Sequence, residues 1–278
     1  MTVIGQIPYK DGVLIVADSR ATLANQFFVK YIDDEQKIYR SDDKDITVAI
    51  AGNAVLGIDA AKALTTSESI LKEYAKTGDE KAKKILEYIL NGSSSMPANP
   101  MAGFAGLLVS VRLSDNTVKT LTILVGDLGK GKEVRFLDAS RPFAMGVDRT
   151  VPVYLNDLLK AHCPDVNNRT LADALTIAFL LEDAYIEEHY PIPYMGKKIL
   201  GVGGAIRLRA TEKDWTLEAV INKSGRKQLE GKSYDELRDY FAQRIADAKQ
   251  QNKADELKHL LRADQMAVAK RSAGRSTQ

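Results

Sequence analysis

The stretch DGVLIVADSRAT, residues 11–22, decides how this chain is interpreted. It opens with Asp-Gly, a pair typical of tight hairpin turns. The nearly continuous apolar run over residues 13–17 is typical of a strand that is buried on both faces. The run ends in a polar cluster that begins with Asp18. This carboxylate is either a solvated strand end or a group that holds a cation inside a packed sheet.

On the N-terminal side, residues 2–8 form a β-rich run. A hairpin through the Asp-Gly turn would bring Asp18 back beside Thr2. Methionine is normally removed before a residue as small as threonine, so we expect a free α-amine on Thr2. An α-amine with an ordinary pKa of about 7.7–8.0 can act as general base for the adjacent hydroxyl.

On the C-terminal side, two further residues could serve the same chemistry. Lys37 lies at the start of a short predicted strand, residues 36–39. A lysine beside a threonine hydroxyl favours its ionised form, and an aspartate keeps that lysine charged and oriented. Gly52 ends the predicted strand over residues 46–51, just before a helix. A backbone N–H at such a position can point at a developing oxyanion.

The rest of the chain alternates between groups of strands and pairs of helices. Predicted helices cover residues 54–74, 79–90, 151–162, 170–188 and much of the chain after Ser233, and predicted strands cover residues 104–111, 117–125, 133–137, 143–147, 199–209 and 215–221. This segregated order indicates an α+β protein with two antiparallel sheets packed face to face and a helix pair outside each. We predict one domain over residues 1–230 and a helical extension over residues 231–278 that ends in a disordered, basic tail.

Composition excludes several classes of function. The chain has 278 residues, 39 basic and 37 acidic, so a net charge of +2 gives no strong argument for a nucleic acid or an anionic membrane as partner. The single cysteine, Cys163, excludes an intrachain disulfide and a cysteine-rich zinc site. No run of 18 apolar residues and no signal-like N-terminus is present. We therefore expect a cytoplasmic protein that needs no cofactor and no metal.

Four pieces of the sequence resemble proteasome β-subunits and the bacterial HslV peptidase, which are N-terminal-nucleophile hydrolases. They are Thr2, residues 11–22, Lys37 with the residue that follows it, and residues 50–54 (IAGNA), and they occur in the family's order at near-family spacing. The resemblance implies a four-layer αββα sandwich and a threonine endopeptidase. Thr2 would be the nucleophile, Lys37 and Asp18 its polar support, and Gly52 the oxyanion donor.

The resemblance also implies substrate contacts and partners. Backbone groups of Thr22, Gly52 and Ala54 would bond an extended peptide as an added strand. Ile50 and Ala54 would line an apolar pocket for the side chain that precedes the scissile bond. The partners would be peptides or unfolded proteins, further copies of the chain in stacked homo-oligomeric rings, and an ATP-dependent unfoldase.

Two departures from the family pattern keep alternatives open. Val147 stands where the family has a serine between two glycines, and residues 197–200 lack the family's Asp-x-x-Ser before Gly-Gly. Asp183 could supply that aspartate if residues 186–200 are an insertion. The alternatives are an inactive, ring-forming structural subunit and a small-amide hydrolase of the same superfamily that forms no ring.

Other motifs are weaker. Residues 126–132 nearly match a P-loop, but Glu133 replaces the Ser or Thr, and a predicted strand follows instead of a helix, so we interpret them as a hairpin loop. His162 and Cys163 end a predicted helix without a third catalytic partner. Residues 187–189 (EEH) are interpreted as an exposed helix end, with metal binding as the alternative. The basic residues of the tail are interpreted as solvated.

Overall fold

The computed structural model describes residues 2–24, 29–93, 103–127, 132–137, 142–146, 149–191, 198–213 and 216–250. Within these ranges the chain forms fourteen strands and seven helices, and every pairing between the strands is antiparallel. The protein is therefore a mixed α and β protein with antiparallel sheets, as the segregated pattern predicts. No helix in the described ranges has both the length and the apolar character needed to cross a membrane.

The elements follow each other in groups along the chain. The strands are β1 (Val3–Tyr9), β2 (Gly12–Asp18), β3 (Ala21–Ala24), β4 (Val29–Ile32), β5 (Ile38–Arg40), β6 (Ile46–Gly52), β7 (Phe104–Arg112), β8 (Val118–Asp127), β9 (Lys132–Leu137), β10 (Phe143–Gly146), β11 (His189–Pro191), β12 (Lys198–Leu200), β13 (Ile206–Glu212) and β14 (Thr216–Ile221). The helices are α1 (Ala54–Thr66), α2 (Glu68–Thr77), α3 (Glu80–Ser93), α4 (Thr150–His162), α5 (Leu171–Tyr185), α6 (Lys223–Leu229) and α7 (Tyr234–Gln250).

Two five-stranded sheets carry most of the strands. The first has the order β10-β1-β2-β13-β14, and the second has the order β5-β6-β7-β8-β9. In the first sheet the β1–β2 hairpin pairs Ile4 with Ala17, so Asp18 lies next to the beginning of β1. In the second sheet Ile38 pairs with Ala49, so Lys37, which directly precedes β5, lies beside Ile50 of β6. The predicted hairpin register is thus present.

The two sheets face each other across a small apolar cluster. Ile4, Ile15 and Ala17 of the first sheet pack there against Ala49 and Leu108 of the second. The opposite face of the first sheet packs against α4 and α5, with α7 outside them against α5, and that of the second packs against α1, α2 and α3. Burial of both faces explains why β2 is apolar at nearly every position instead of alternating.

The structure corrects the predicted elements at several places. The long helix predicted after Asn53 is two helices, because the chain turns at Ser67 between α1 and α2. The strand predicted over residues 199–209 is interrupted at residues 201–205, where glycines pack against other loops. The polar stretch after Ala21 contains the hairpin β3–β4, and α6 follows an N-cap at Asn222, which the sequence reading did not identify.

The described part of the C-terminal extension packs against the rest of this chain. Leu237 and Phe241 of α7 are buried in the same apolar cluster as α5, and Tyr240 and Ile245 pack against it. The predicted capping boxes that start with Thr170 and Ser233 are both present. Residues 251–278, for which we predicted a disordered basic tail, lie outside the described residues.

Candidate active site

Thr2, Asp18 and Lys37 meet at the end of the β1–β2 hairpin. The Thr2 hydroxyl donates a hydrogen bond to Asp18 Oδ1, and Lys37 Nζ donates one to Thr2 Oγ1. Lys37 Nζ also lies 2.7 Å from Asp18 Oδ1. Thr2 is 5% exposed, Lys37 is 5% exposed and Asp18 is fully buried. The three residue types that the sequence predicts together therefore form one buried cluster.

Backbone amides hold the Asp18 carboxylate in place. Oδ1 accepts a hydrogen bond from the Val3 N–H at 3.1 Å, and Oδ2 accepts from the N–H groups of Arg20 at 3.1 Å and Gly203 at 3.2 Å. Together with Thr2 and Lys37, these donors supply partners for both oxygens. A buried carboxylate is stable only with such partners. Asp18 is thus a fixed anion beside the hydroxyl.

The segment before β13 supports this anion through Arg20. A Cβ at Gly203 would lie 2.3 Å from Arg20 Cζ, so a larger residue here would displace the Arg20 guanidinium from its present position. The Arg20 guanidinium bonds both carboxylate oxygens of Asp33, at 2.5 and 3.0 Å, and holds the pKa of Asp33 below its usual value. The sequence does not predict the packing of Arg20 against Gly203, because these residues lie far apart in the chain.

A cavity of ≈ 340 Å³ is lined in part by Thr2. Residues named from the sequence form part of its wall, namely Thr2, Thr22, Lys37, Ile50, Gly52 and Ala54. The wall also contains residues that the sequence reading did not name as site residues, namely Arg20, Ala21, Glu35, Ala51, Asn53, Val55 and Ile58. Glu35 adds a carboxylate to a wall that we expected to be apolar.

The turn from β6 into α1 shapes one side of this cavity. Gly52 has φ +89°, and a Cβ there would lie 2.4 Å from the Phe104 carbonyl oxygen, so the position requires glycine. Asn53 caps α1, because its side chain accepts from the Leu56 N–H at 3.1 Å. The first turn of α1 lines the cavity through Ala54 and Val55. A helix N-terminus carries partial positive charge and favours an anion nearby.

The structure brings Asp183 to a different place from the one expected. Its carboxylate lies 3.7 Å from Arg226 Nε, and its side chain is 32% exposed. The neighbouring residue, Glu182, is fully buried, and neither of its carboxylate oxygens has a hydrogen-bond partner among the described residues. Burial and then the charge of Asp18 raise the pKa of Glu182 well above its usual value, while Lys37 opposes this shift. The sequence analysis does not predict a buried carboxyl at Glu182.

Two further residues named from the sequence are Thr22, for peptide binding, and Val147, at the position of the absent serine. The Thr22 hydroxyl donates to the Leu200 carbonyl at 3.2 Å, and β3 pairs with β4 alone among the described strands. No described strand pairs with the other edge of β3. Gly146 pairs with Val3, but Val147 lies outside the described residues.

The competing motifs are placed elsewhere. His162 stacks on the Tyr234 ring at 4.1 Å, and Glu187 pairs with Arg226. Residues 128–131 of the P-loop-like stretch lie outside the described residues, between the antiparallel strands β8 and β9. Among the described residues, the carboxylates close enough to share a metal ion are those of Asp43, Asp45 and Glu68. The Lys72 ammonium pairs with all three, so a cation already occupies this cluster.

Comparison with known proteins gives no match to a family model or to a curated protein. The function proposed below therefore rests on the contacts of Thr2 and on the cavity beside it.

Proposed function

We propose that this protein is a threonine peptidase that uses Thr2 as an N-terminal nucleophile. The observation that carries the proposal is the contact of one hydroxyl, Thr2 Oγ1, with both Lys37 and Asp18 at the wall of a cavity. A hydroxyl nucleophile needs groups that activate it and an open side from which the substrate can approach. Stabilisation of the fold alone would not require Thr2 to line a cavity.

The fold supports the same family. Two facing antiparallel sheets with helices against their outer faces are what a four-layer αββα sandwich requires. We therefore propose the N-terminal-nucleophile hydrolase fold for this chain. The hairpin register, which places Asp18 beside Thr2, supports this assignment independently of the helices.

The chemistry requires that the bond between Met1 and Thr2 is cleaved. The free α-amine then takes the Oγ1 proton while Oγ1 forms a bond to the carbonyl carbon of the substrate. The carbonyl oxygen becomes an oxyanion, which the Gly52 N–H and the N-terminus of α1 stabilise. The C–N bond breaks, the amine returns the proton to the leaving amine, and an ester on Thr2 remains. Water, deprotonated by the amine, hydrolyses that ester and regenerates the hydroxyl.

Lys37 and Asp18 support this step electrostatically. The Lys37 ammonium donates to Oγ1, so it favours negative charge that develops on that oxygen during attack. Asp18 holds the ammonium at 2.7 Å and keeps it oriented. Because both groups are buried, their interactions are screened less by water and salt than surface pairs are.

The edge of β3 that no described strand pairs with, together with the start of α1, suggests how a peptide binds. An extended substrate would add as a strand along Thr22, with Gly52 and Ala54 on its other side. Ile50 and Ala54 would contact the side chain that precedes the scissile bond. The substrates that suit this arrangement are unfolded segments, because a folded protein offers few free strand edges.

Assembly and partners are proposed on the resemblance. We propose stacked homo-oligomeric rings in the cytoplasm, with an ATP-dependent unfoldase as a further partner, since enclosure would protect other proteins from an exposed peptidase site. Light scattering tests this arrangement. A species near the chain mass of 30.6 kDa would contradict the ring and favour a small-amide hydrolase of the same superfamily.

Labelling tests the nucleophile directly. A peptide epoxyketone reacts with a hydroxyl and a free α-amine together, so it should modify Thr2 in the wild-type protein. Thr2→Ala should abolish the labelling, whereas Thr66→Ala, on the exposed end of α1, should label normally. Intact mass of the same samples reports whether Met1 is removed. A processed, folded protein that does not label would favour the inactive structural subunit.

A further inference from the structure

A second cavity lies where the two five-stranded sheets bring their edges together. It has a volume of ≈ 260 Å³ and lies between β5, the edge of the second sheet, and β13 and β14 of the first. Three arginines line it, Arg40, Arg207 and Arg209, together with one acidic residue, Glu218. It shares no lining residue with the cavity at Thr2.

The arginines outnumber the carboxylates that neutralise them. Arg40 and Arg209 both contact the same oxygen of Glu218, with Arg40 Nη1 at 2.6 Å. Arg207 pairs at 2.5 Å with Asp34, but the Asp34 side chain is 90% exposed. An ion pair with so exposed a partner contributes little. Three guanidinium groups thus face two carboxylates, so one positive charge remains, and the exposed Asp34 offsets the charge of Arg207 only weakly.

Two observations indicate that this excess positive charge is costly to the fold. Arg207 Nε is buried and has no hydrogen-bond partner among the described residues, which is costly for a charged donor. Arg209 is 2% exposed, and burial, followed by the charges of Arg40 and Arg112, lowers its pKa to about 10. An anion in the cavity would offset the repulsion between these guanidinium groups.

We propose that this cavity binds a phosphate group, either inorganic phosphate or the phosphate of a small ester, through Arg40 and Arg207. A phosphate carries about two negative charges near neutral pH, so it would offset the positive charge that the three arginines leave at this cavity. The planar guanidinium fork fits phosphate oxygens, and two forks on different strands can contact different oxygens. Arg209 remains behind them as a buried charge held by Thr47 at 2.7 Å and by Glu218. This site does not depend on the function proposed for Thr2.

The cavity contacts the other face of the strand that follows Lys37. Gln36, Ile38 and Arg40 line it, and because side chains alternate along a strand, Lys37 points to the opposite side, toward Thr2. The bound phosphate would therefore lie behind the strand and not in the substrate cavity.

Calorimetric titration of the full chain with inorganic phosphate, at constant ionic strength set with chloride, tests the site. Saturable binding should weaken by roughly tenfold or more in Arg207→Gln and in Arg40→Gln, because each loses a charge-assisted contact. Both side chains are partly exposed, so either variant can serve if the other does not fold. Arg135→Gln, on the opposite edge strand β9, removes the same charge elsewhere and should bind like the wild type.

A parallel titration with phenyl phosphate identifies the source of the phosphate. Tighter binding of the ester assigns the site to phosphate esters, and tighter binding of the free ion assigns it to inorganic phosphate. Absence of saturable binding in both arms would overturn the proposal. Binding that Arg207→Gln and Arg40→Gln weaken no more than Arg135→Gln would also overturn it.

Discussion

Lys37 Nζ lies 2.7 Å from Asp18 Oδ1, and this ion pair is almost completely shielded from water, with 7% of the lysine side chain and none of the aspartate side chain exposed. Removal of one partner from such a pair leaves an uncompensated charge in the interior, which is far more costly than the loss of a surface pair. The pair therefore contributes to the fold as well as to the proposed chemistry, and an experiment has to separate the two contributions.

Lys37→Met should lower the free energy of unfolding by about 3–5 kcal/mol, because it leaves the Asp18 charge buried and unpaired. It should also abolish labelling of Thr2. The double variant Lys37→Met, Asp18→Asn removes both charges and should recover much of the stability without recovering the labelling. Urea unfolding measures stability, and the epoxyketone measures reactivity. If the double variant labels like the wild type, Lys37 has no part in activating Thr2.

Comparison of Gly52→Ala with Gly78→Ala separates the cost of backbone strain from the cost of a steric clash. Gly52 and Gly78 both have positive φ, +89° and +69°, and an L-residue in the left-handed region costs about 1–2 kcal/mol. A Cβ at Gly78 meets nothing within 4 Å, whereas one at Gly52 lies 2.4 Å from the Phe104 carbonyl oxygen. In urea unfolding, Gly78→Ala should therefore show the strain alone, and Gly52→Ala should lose clearly more. Equal losses would mean that the turn before α1 adapts without cost.

The sequence predicts the contact between Thr2 and Asp18 because it is set by a local hairpin. The Asp-Gly turn sets the register of the hairpin, and the register alone brings Asp18 next to the start of β1. Lys37 reaches Thr2 from the other sheet, so no local pattern predicts that contact, and it is expected only from the resemblance to N-terminal-nucleophile hydrolases. Like the hairpin, the fold of residues 103–127 into β7 and β8 is predicted locally, since apolar runs and short turns determine antiparallel neighbours.

Other parts of the site could not be predicted because they join distant segments. The approach of Gly203 to Arg20 depends on how residues 201–205 turn before β13, and no local pattern encodes that turn. Asp183 and Glu182 are adjacent on α5, and their sequence does not say which of the two faces the core. In the structure Glu182 is buried and Asp183 contacts Arg226. A charged residue that is buried on a helix can therefore be identified only from the packed structure.

Glu35→Gln should change the substrate preference of the proposed peptidase. Glu35 adds a carboxylate to the wall of the Thr2 cavity, whereas Ile50 and Ala54 add apolar surface. If its charge contacts a basic side chain before the scissile bond, Glu35→Gln should reduce cleavage of arginine peptides roughly two- to fivefold relative to leucine peptides, as expected for a partly exposed ion pair. The ratio of kcat/KM for matched peptides measures this change. An unchanged ratio would leave the apolar walls as the determinant of preference.

Glu182→Gln tests the buried carboxyl through the pH dependence of stability. Burial and the charge of Asp18 raise the pKa of Glu182 in the folded protein well above its ordinary value of 4.5. The folded state therefore favours the protonated form, and its contribution to stability is complete below the ordinary pKa and is lost as the pH rises through the raised folded pKa. Glutamine has the same shape and does not ionise, so the variant should gain stability relative to the wild type as the pH rises from 4.5.

Urea unfolding between pH 4 and 8 at roughly one-unit steps resolves such a trend, because one unit of pKa difference corresponds to about 1.4 kcal/mol. Glu80→Gln, whose parent side chain is 73% exposed, should show almost no such trend. If the difference in stability between Glu182→Gln and the wild type is the same at every pH, the pKa of Glu182 is not raised by folding, and the prediction is wrong.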